Sequence, residues 1–300
     1  MEFERKIFVA PDGAEIKYID EGSGPVLLYV YGMGSSITSA IPLTTVLKDH
    51  YRVIVFDQRG YGDTAAVGDV GIHQSAKDAK AIMEHLGLDK YAIFGYSMGA
   101  AVVFSYIEQF GCSCLEGVIL GDMSPKLINE DGWKLGLLQG HYTRAMYEVD
   151  LDIIQNDYRR FSMYLTEQLM FKHTPDQERE PYTSADETEA RIMAREHNPL
   201  IRQALFTGMV DLPEEKAAAV YHYWITMASA DFRSVLKNIN VPTAIIYADP
   251  GSGYCPGTAE FMHSQIPDST LCPMPDCSHM AASENSVLFI KYLLDFGAKL

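Results

Sequence analysis

Gly95-Tyr96-Ser97-Met98-Gly99 is the stretch on which the reading of this chain turns. It follows a short apolar run, residues 91–94, and opens a helical pattern over Met98–Phe110 that is apolar at Ala101, Val102, Phe104 and Ile107. A serine between two glycines in a strand–turn–helix setting predicts a tight turn with a strained backbone at the serine. Side chains at Gly95 and Gly99 would collide in such a turn. The turn lifts the Ser97 hydroxyl above the C-terminal edge of a sheet and aims the start of the helix at it. The Met98 N–H then faces the same point, where a developing negative charge would be stabilised.

Outward from this turn the same alternation continues. Residues 26–30, 52–56, 115–120 and 243–247 are short, mostly apolar runs bounded by turn or polar residues, the pattern of strands buried on both faces. Two further short strands are predicted at residues 6–9 and 15–20, with Pro11-Asp12-Gly13 between them as hairpin chemistry. Helical patterns cover residues 73–86, with Gly87 at the C-cap position, and 283–296, with Ser283 as N-cap. Alternating strands and helices imply an α/β fold with a mostly parallel central sheet flanked by helices. Residues 124–239 break the alternation. They show helical patterns at 133–147, 150–172, 185–196 and 213–230 and no strand. About 110 residues are too many for a loop. The stretch is predicted as a helical cap inserted into a core formed by residues 1–123 and 240–300. It is rich in methionine and aromatic residues, Met163, Met170, Met209, Met227, Phe206 and Trp224 among them. Most of these are expected to pack cap against core, and some to line an adaptable apolar pocket.

The chain has 300 residues, 47% apolar and 21% charged, with a formal net charge of -16. That composition is globular. A surface so negative repels phosphate backbones and anionic lipid, so neither nucleic acid nor membrane is an expected partner. No apolar run approaches the ~18 residues of a membrane span. Residues 1–8 alternate charged and apolar character and lack the apolar core of a signal peptide. The cysteines Cys112, Cys114, Cys255, Cys272 and Cys277 are odd in number and match neither a zinc-ribbon nor a redox spacing. They read as free thiols in a cytoplasmic protein with no metal site. A dinucleotide fingerprint is missing after the first strands, so no cofactor is expected.

These motifs, taken in order, resemble the α/β-hydrolase superfamily, and the likeness covers nearly the whole chain. After the strand ending at Val30 comes Tyr31-Gly32-Met33-Gly34, where the family has a His-Gly oxyanion loop. After the next strand comes Asp57-Gln58-Arg59-Gly60-Tyr61-Gly62, a turn that is structural in the family. Pro275-Asp276-Cys277-Ser278-His279-Met280 stands after the last strand, where the family carries its histidine. The resemblance implies Ser97 as nucleophile, His279 as general base, and Met33 and Met98 N–H groups as the oxyanion hole, with Gly32, Gly95 and Gly99 as the glycines that make room. Serine needs an adjacent base, and histidine titrates near neutrality. Tyr31 replaces the usual loop histidine; a tyrosine can stack and donate one hydrogen bond, so the loop geometry is expected to survive.

The acid of the triad departs from the family pattern. Its usual place, after the strand 243–247, holds Ala248-Asp249-Pro250-Gly251-Ser252-Gly253-Tyr254-Cys255-Pro256, with Gly251 or Ser252 at the expected position. The candidates are Asp122, after the strand next to the nucleophile strand in chain order, then Asp249 and Asp276. Asp122 is favoured, and Asp249 is the alternative. The expected activity is acyl transfer from a small molecule to water, with an apolar or aromatic acyl group. Carboxylesterase leads; thioester, amide and lactone substrates stay open. The rivals are a small-molecule receptor on the same fold and a serine-dependent lyase or cofactor-free perhydrolase.

Overall fold

The computed structural model of the chain describes residues 3–198, 210 and 212–300. Phe206 and Met209 lie outside them. A single eight-stranded sheet is formed by β1 (Lys6–Val9), β2 (Glu15–Gly22), β3 (Val26–Val30), β4 (Arg52–Phe56), β5 (Tyr91–Tyr96), β6 (Leu115–Gly121), β7 (Thr243–Pro250) and β8 (Ser269–Cys277). Their order across the sheet is β1-β2-β4-β3-β5-β6-β7-β8. β1 pairs antiparallel with β2, and β2 antiparallel with β4; from β4 onward every pairing is parallel. Pro11-Asp12-Gly13 turns the first hairpin, with Gly13 at φ 88° and the Ala10 and Ala14 main chains bonded across it.

The central strands owe their place to apolar burial on both faces. Leu27, Leu28, Val53, Ile54, Ala92, Ile93 and Phe94 are all inaccessible to solvent, each large side chain contributing about 1.5–3 kcal/mol. Register then sets the site. Val30 lies opposite Gly95, Tyr96 opposite Gly121, and Gly121 opposite Ile246. The loops after β3, β5 and β6 therefore leave the sheet side by side at its C-terminal edge, where ligands gather in open α/β sheets.

Arg59 knits the turn after β4 to its surroundings. Its buried guanidinium donates to both oxygens of Asp78 at 2.8 Å and to Asp12 in the first hairpin. Asp78 belongs to α2 (Ile72–His85). This turn is structural, as the family resemblance implies.

Among the described residues four α-helices stand between β6 and β7: α4 (Arg144–Asn156), α5 (Tyr158–Met170), α6 (Ala185–Arg195) and α7 (Glu214–Ala228). Together with α1 (Ile37–Leu47), α2 and α3 (Met98–Phe110), they are the α-helices before β7 among the described residues. α4 packs on α5 and α7, and α5 on α6. Tyr223 of α7 reaches the turn after β4 and α2: its hydroxyl donates to the Arg59 carbonyl and meets Ser75 Oγ at 3.0 Å.

Three helix expectations differ from what is observed. Residues 133–142 are irregular, because Gly136 presses on the Leu127 carbonyl and the segment bonds to residues 127–129 instead. The helical pattern at 150–172 is cut at Asp157, whose side chain accepts from Arg160 N and starts a new helix. The last helix starts later than expected: Asn285, not Ser283, caps Ser286–Gly297, and Ala281–Glu284 is a separate turn.

Asp150 on α4 is buried, with Tyr142 Oη donating to it at 2.7 Å. Burial pushes its carboxyl up to about 7, against the pull of the Tyr142 hydrogen bond. Below pH ~4 the group is neutral in the folded and unfolded chains alike. Between about pH 4 and 7 the unfolded chain sheds the proton first, so stability falls as pH rises. Asp150→Asn removes this titration. The stability of the variant relative to wild type is expected to rise from pH 4.5 to pH 8 by on the order of a few kcal/mol, read from denaturant midpoints. A difference that stays flat across that range contradicts this account.

Candidate active site

Ser97 directly follows β5 and stands at the head of α3 with φ 55° and ψ -127°. Such a backbone costs a non-glycine residue about 1–3 kcal/mol. Close packing holds it there. A Cβ on Gly99 would lie 2.0 Å from the Val30 carbonyl oxygen, and one on Gly95 2.3 Å from the Gly99 oxygen. A Cβ on Gly32 would lie 3.1 Å from Ser97 Cβ. These glycines bring β3, β5 and α3 into backbone contact. The Ser97 N–H bonds to the Gly121 carbonyl at 2.8 Å. Its hydroxyl caps no helix N–H and is left for another partner.

That partner is His279. Its Nε2 is 2.9 Å from Ser97 Oγ, and its Nδ1 is 2.6 Å from Asp122 Oδ2. The carboxylate at Nδ1 selects the Nδ1–H tautomer, which leaves the Nε2 lone pair to accept the serine proton. Asp122 follows β6 with φ 39° and is buried; its other oxygen accepts from Ala248 N at 3.2 Å. Asp249, one residue further along β7, is exposed, and Asp276 is exposed and paired with Lys172. Among the described residues only Asp122 brings a carboxylate to the imidazole.

The histidine is also fixed through its main chain. Tyr96 Oη donates to the His279 carbonyl at 2.7 Å, and the His279 N–H donates to Ser252 Oγ at 2.8 Å. The Tyr96 and Tyr254 rings flank the imidazole with centroids at 5.7 and 6.1 Å. Burial, and the Asp122 charge after it, raise both phenols well above their usual range, so they stay neutral donors. Tyr96 sits inside the motif that opens the sequence reading, yet its role depends on a chain contact 183 residues away.

The Met33 and Met98 N–H groups have no hydrogen-bond partner among the described residues. Tyr31 secures the loop that carries Met33. Its hydroxyl donates to the buried Asp57 at 2.9 Å and accepts from Gln58 N, while Gln58 Nε2 bonds the Tyr31 carbonyl.

Ser97 and His279 open into a pocket of about 220 Å³, walled by Tyr29, Met33, Leu169, Met280 and Ala282, with Thr166 from α5. A second space of about 20 Å³ lies on the Met98 side, walled by Met123, Leu127, Leu137, Leu165, Trp224 and Met227. Of the residues singled out by composition, Trp224 and Met227 reach it, while Met163 and Met170 pack in a separate cluster. Among the described residues no three His, Cys, Asp or Glu side chains gather as a metal site requires. No described helix is long and apolar enough to cross a membrane.

A profile of the alpha/beta hydrolase fold matches residues 25–286. A putative carbamate hydrolase of Shigella flexneri, RutD, is 25% identical over 279 residues, 92% of each chain. A non-heme haloperoxidase of Rhodococcus erythropolis is 34% identical over 131 residues, 43% of this chain and 48% of that protein. Among solved structures, an esterase from Exiguobacterium antarcticum superposes with TM-score 0.80 at 21% identity, over 98% of this chain and 100% of that one. A bromoperoxidase from Bacillus anthracis gives 0.77 at 22%, over 99% and 100%. At these identities the superpositions speak for the fold.

The short His279–Asp122 contact has a spectroscopic consequence. A proton shared at 2.6 Å between Nδ1 and a buried carboxylate is expected far downfield in the proton NMR spectrum. Asp122→Asn should remove that resonance and Asp249→Asn should leave it. The reverse pattern would place the partner of His279 on β7.

Proposed function

The chain belongs to the α/β-hydrolase fold family, and on that premise we propose that it is a serine hydrolase acting on an ester-like acyl bond, with a carboxylic ester as the leading substrate. The observation that carries this reading is the unbroken relay Asp122–His279–Ser97, with contacts of 2.6 and 2.9 Å, at the wall of a mostly apolar pocket. Ser97 Oγ attacks the carbonyl carbon while His279 Nε2 takes its proton. Asp122 stabilises the imidazolium that forms. The Met33 and Met98 N–H groups hold the oxyanion. Collapse of the tetrahedral intermediate breaks the bond to the leaving group, which receives the proton from Nε2. Water then repeats the sequence on the acyl-enzyme and frees the acid. No cofactor enters this scheme.

The two chambers divide the substrate. The leaving group must lie where His279 can protonate it, and Met280 and Ala282, just past the histidine, wall only the larger space. The acyl group then falls to the small space beside Met98. Its walls are apolar, and its volume of about 20 Å³ suits a group as small as the methyl of an acetyl ester. Residues 124–239 act as the cap in this reading and residues 1–123 and 240–300 as the core, because α5 walls both chambers and α7 walls the smaller one.

A fluorophosphonate probe is expected to add once, at Ser97, and p-nitrophenyl esters to turn over fastest with the acetyl group. Asp122→Asn should lower kcat by up to ~10⁴-fold, with Asp249→Asn near wild type. An intact mass with no adduct favours the receptor reading. Labelling without ester turnover favours the lyase or perhydrolase. A preference for charged, sugar-like acyl groups contradicts the apolar acyl chamber.

A further inference from the structure

The segment after β7, where this family usually keeps its acid, is bound along its length by the helical segment between β6 and β7. The Pro250 carbonyl accepts from Gln139 Nε2 at 2.8 Å, the Gly251 carbonyl from His173 N at 2.9 Å, the Ser252 carbonyl from Arg179 at 3.0 Å, and the Gly253 carbonyl from Gln139 N at 2.9 Å. Ser252 stands in the middle of this strap and is wholly buried.

Resting on the serine-hydrolase reading above, we propose that Ser252 is a positioning residue that ties the main chain of His279 to the end of α5. Its hydroxyl has one proton, and the partners fix its direction. It donates to the Leu169 carbonyl at 2.5 Å and accepts the His279 N–H at 2.8 Å. Leu169 lies in the last turn of α5, where carbonyls lack a helical partner. The natural candidate, His173 N, is committed to Gly251. Both of the groups Ser252 joins would otherwise be buried and unpaired.

The coupling runs from pocket wall to base. The Leu169 side chain walls both chambers. A Cβ on Gly253 would sit 2.9 Å from Leu169 Cδ2 and 3.6 Å from His279 Nδ1, so the strap passes directly between them. Asp122 holds only the edge of the ring. The peptide planes on either side of His279 are held by Tyr96 at the carbonyl and Ser252 at the N–H. Losing one lets the ring pivot about its bond to Asp122, and Nε2 then drifts from the 2.9 Å contact with Ser97. Ser252 touches neither chamber, so this effect belongs to the chemical step and not to binding.

The test is Ser252→Ala in the full chain. With p-nitrophenyl acetate, kcat is expected to fall by ~10- to 100-fold with KM within ~2-fold. Fluorophosphonate labelling of Ser97 should slow in parallel. A variant that is folded and keeps wild-type kcat overturns the proposal, as does one that raises KM and spares kcat. The downfield His279–Asp122 proton reads the same coupling without turnover: faster exchange and a broadened line are expected in Ser252→Ala, and an unchanged line overturns it. If Ser252→Ala does not fold, Ser252→Cys is measured by the same readouts, with a smaller fall in kcat expected. A wild-type protein that neither labels nor turns over defeats the hydrolase reading itself, and the NMR line still decides the positioning role.

Discussion

There is no room for an atom between Gly99 and the end of β3. A methyl group at that position would stand 2.0 Å from the Val30 oxygen, far inside contact distance. This closeness lets α3 begin directly over the strand that leads to the Met33 loop, and it obliges the chain to turn within one residue after β5. The residue at the turn is Ser97, and its positive φ is a consequence of the packing. Strain of about 1–3 kcal/mol is affordable where a buried parallel sheet fixes both sides of the turn. The helix start, the Met33 loop and the serine thus share one small volume because two glycines lack side chains there.

Around that volume the chain must place several acids out of water, and each is settled differently. Asp78 is neutralised by Arg59 through two 2.8 Å hydrogen bonds. Asp57 collects donors from Tyr31, Ile37 N and Asp63 N, yet burial still raises its carboxyl. Asp150 meets no cation among the described residues, and burial raises it to about 7. Asp122 faces an imidazole. Of these four, only Asp122 meets a group that can gain a full charge during a reaction cycle. The other three serve the scaffold, although a list of buried carboxylates would not separate them. The tyrosine at position 31 belongs to the same economy, because its hydroxyl supplies one of the donors that keep Asp57 inside.

The strands, the turn at Ser97 and the place of His279 were legible in the sequence because each is a local pattern: an apolar run, a glycine spacing, an order of motifs. Residues 133–147 look helical by apolar spacing, yet Gly132, Gly136 and Gly140 let the backbone bond sideways to residues 127–129. Asp157 and Asn285 divide helices whose apolar rhythm runs on without a break, since a cap acts on backbone N–H groups and leaves periodicity intact. Tyr96, Tyr254 and Ser252 gave no signal of their contacts with His279. Their partners lie far along the chain, and a single sequence does not display pairings between strand ends.

The three carboxylate candidates show why register matters more than chain position. Asp249 looks the better choice by distance along the chain from the usual acid site, since only a few residues separate them. Yet β7 stays paired with β8 to Pro250, with a register shift only after Asp249, so Asp249 is still inside the ladder, opposite Pro275, and faces solvent. Asp122 follows the last residue of β6, where Gly121 pairs with both Tyr96 and Ile246. The chain is leaving the sheet at that point, and its left-handed φ swings the carboxylate across the top of β7 to bond Ala248 N on one side and His279 on the other. With the carboxylate beside His279 coming from the end of β6, the segment after β7 brings no acid to the imidazole. It is small and polar, and its carbonyls receive Gln139, His173 and Arg179 from the connections between β6 and β7.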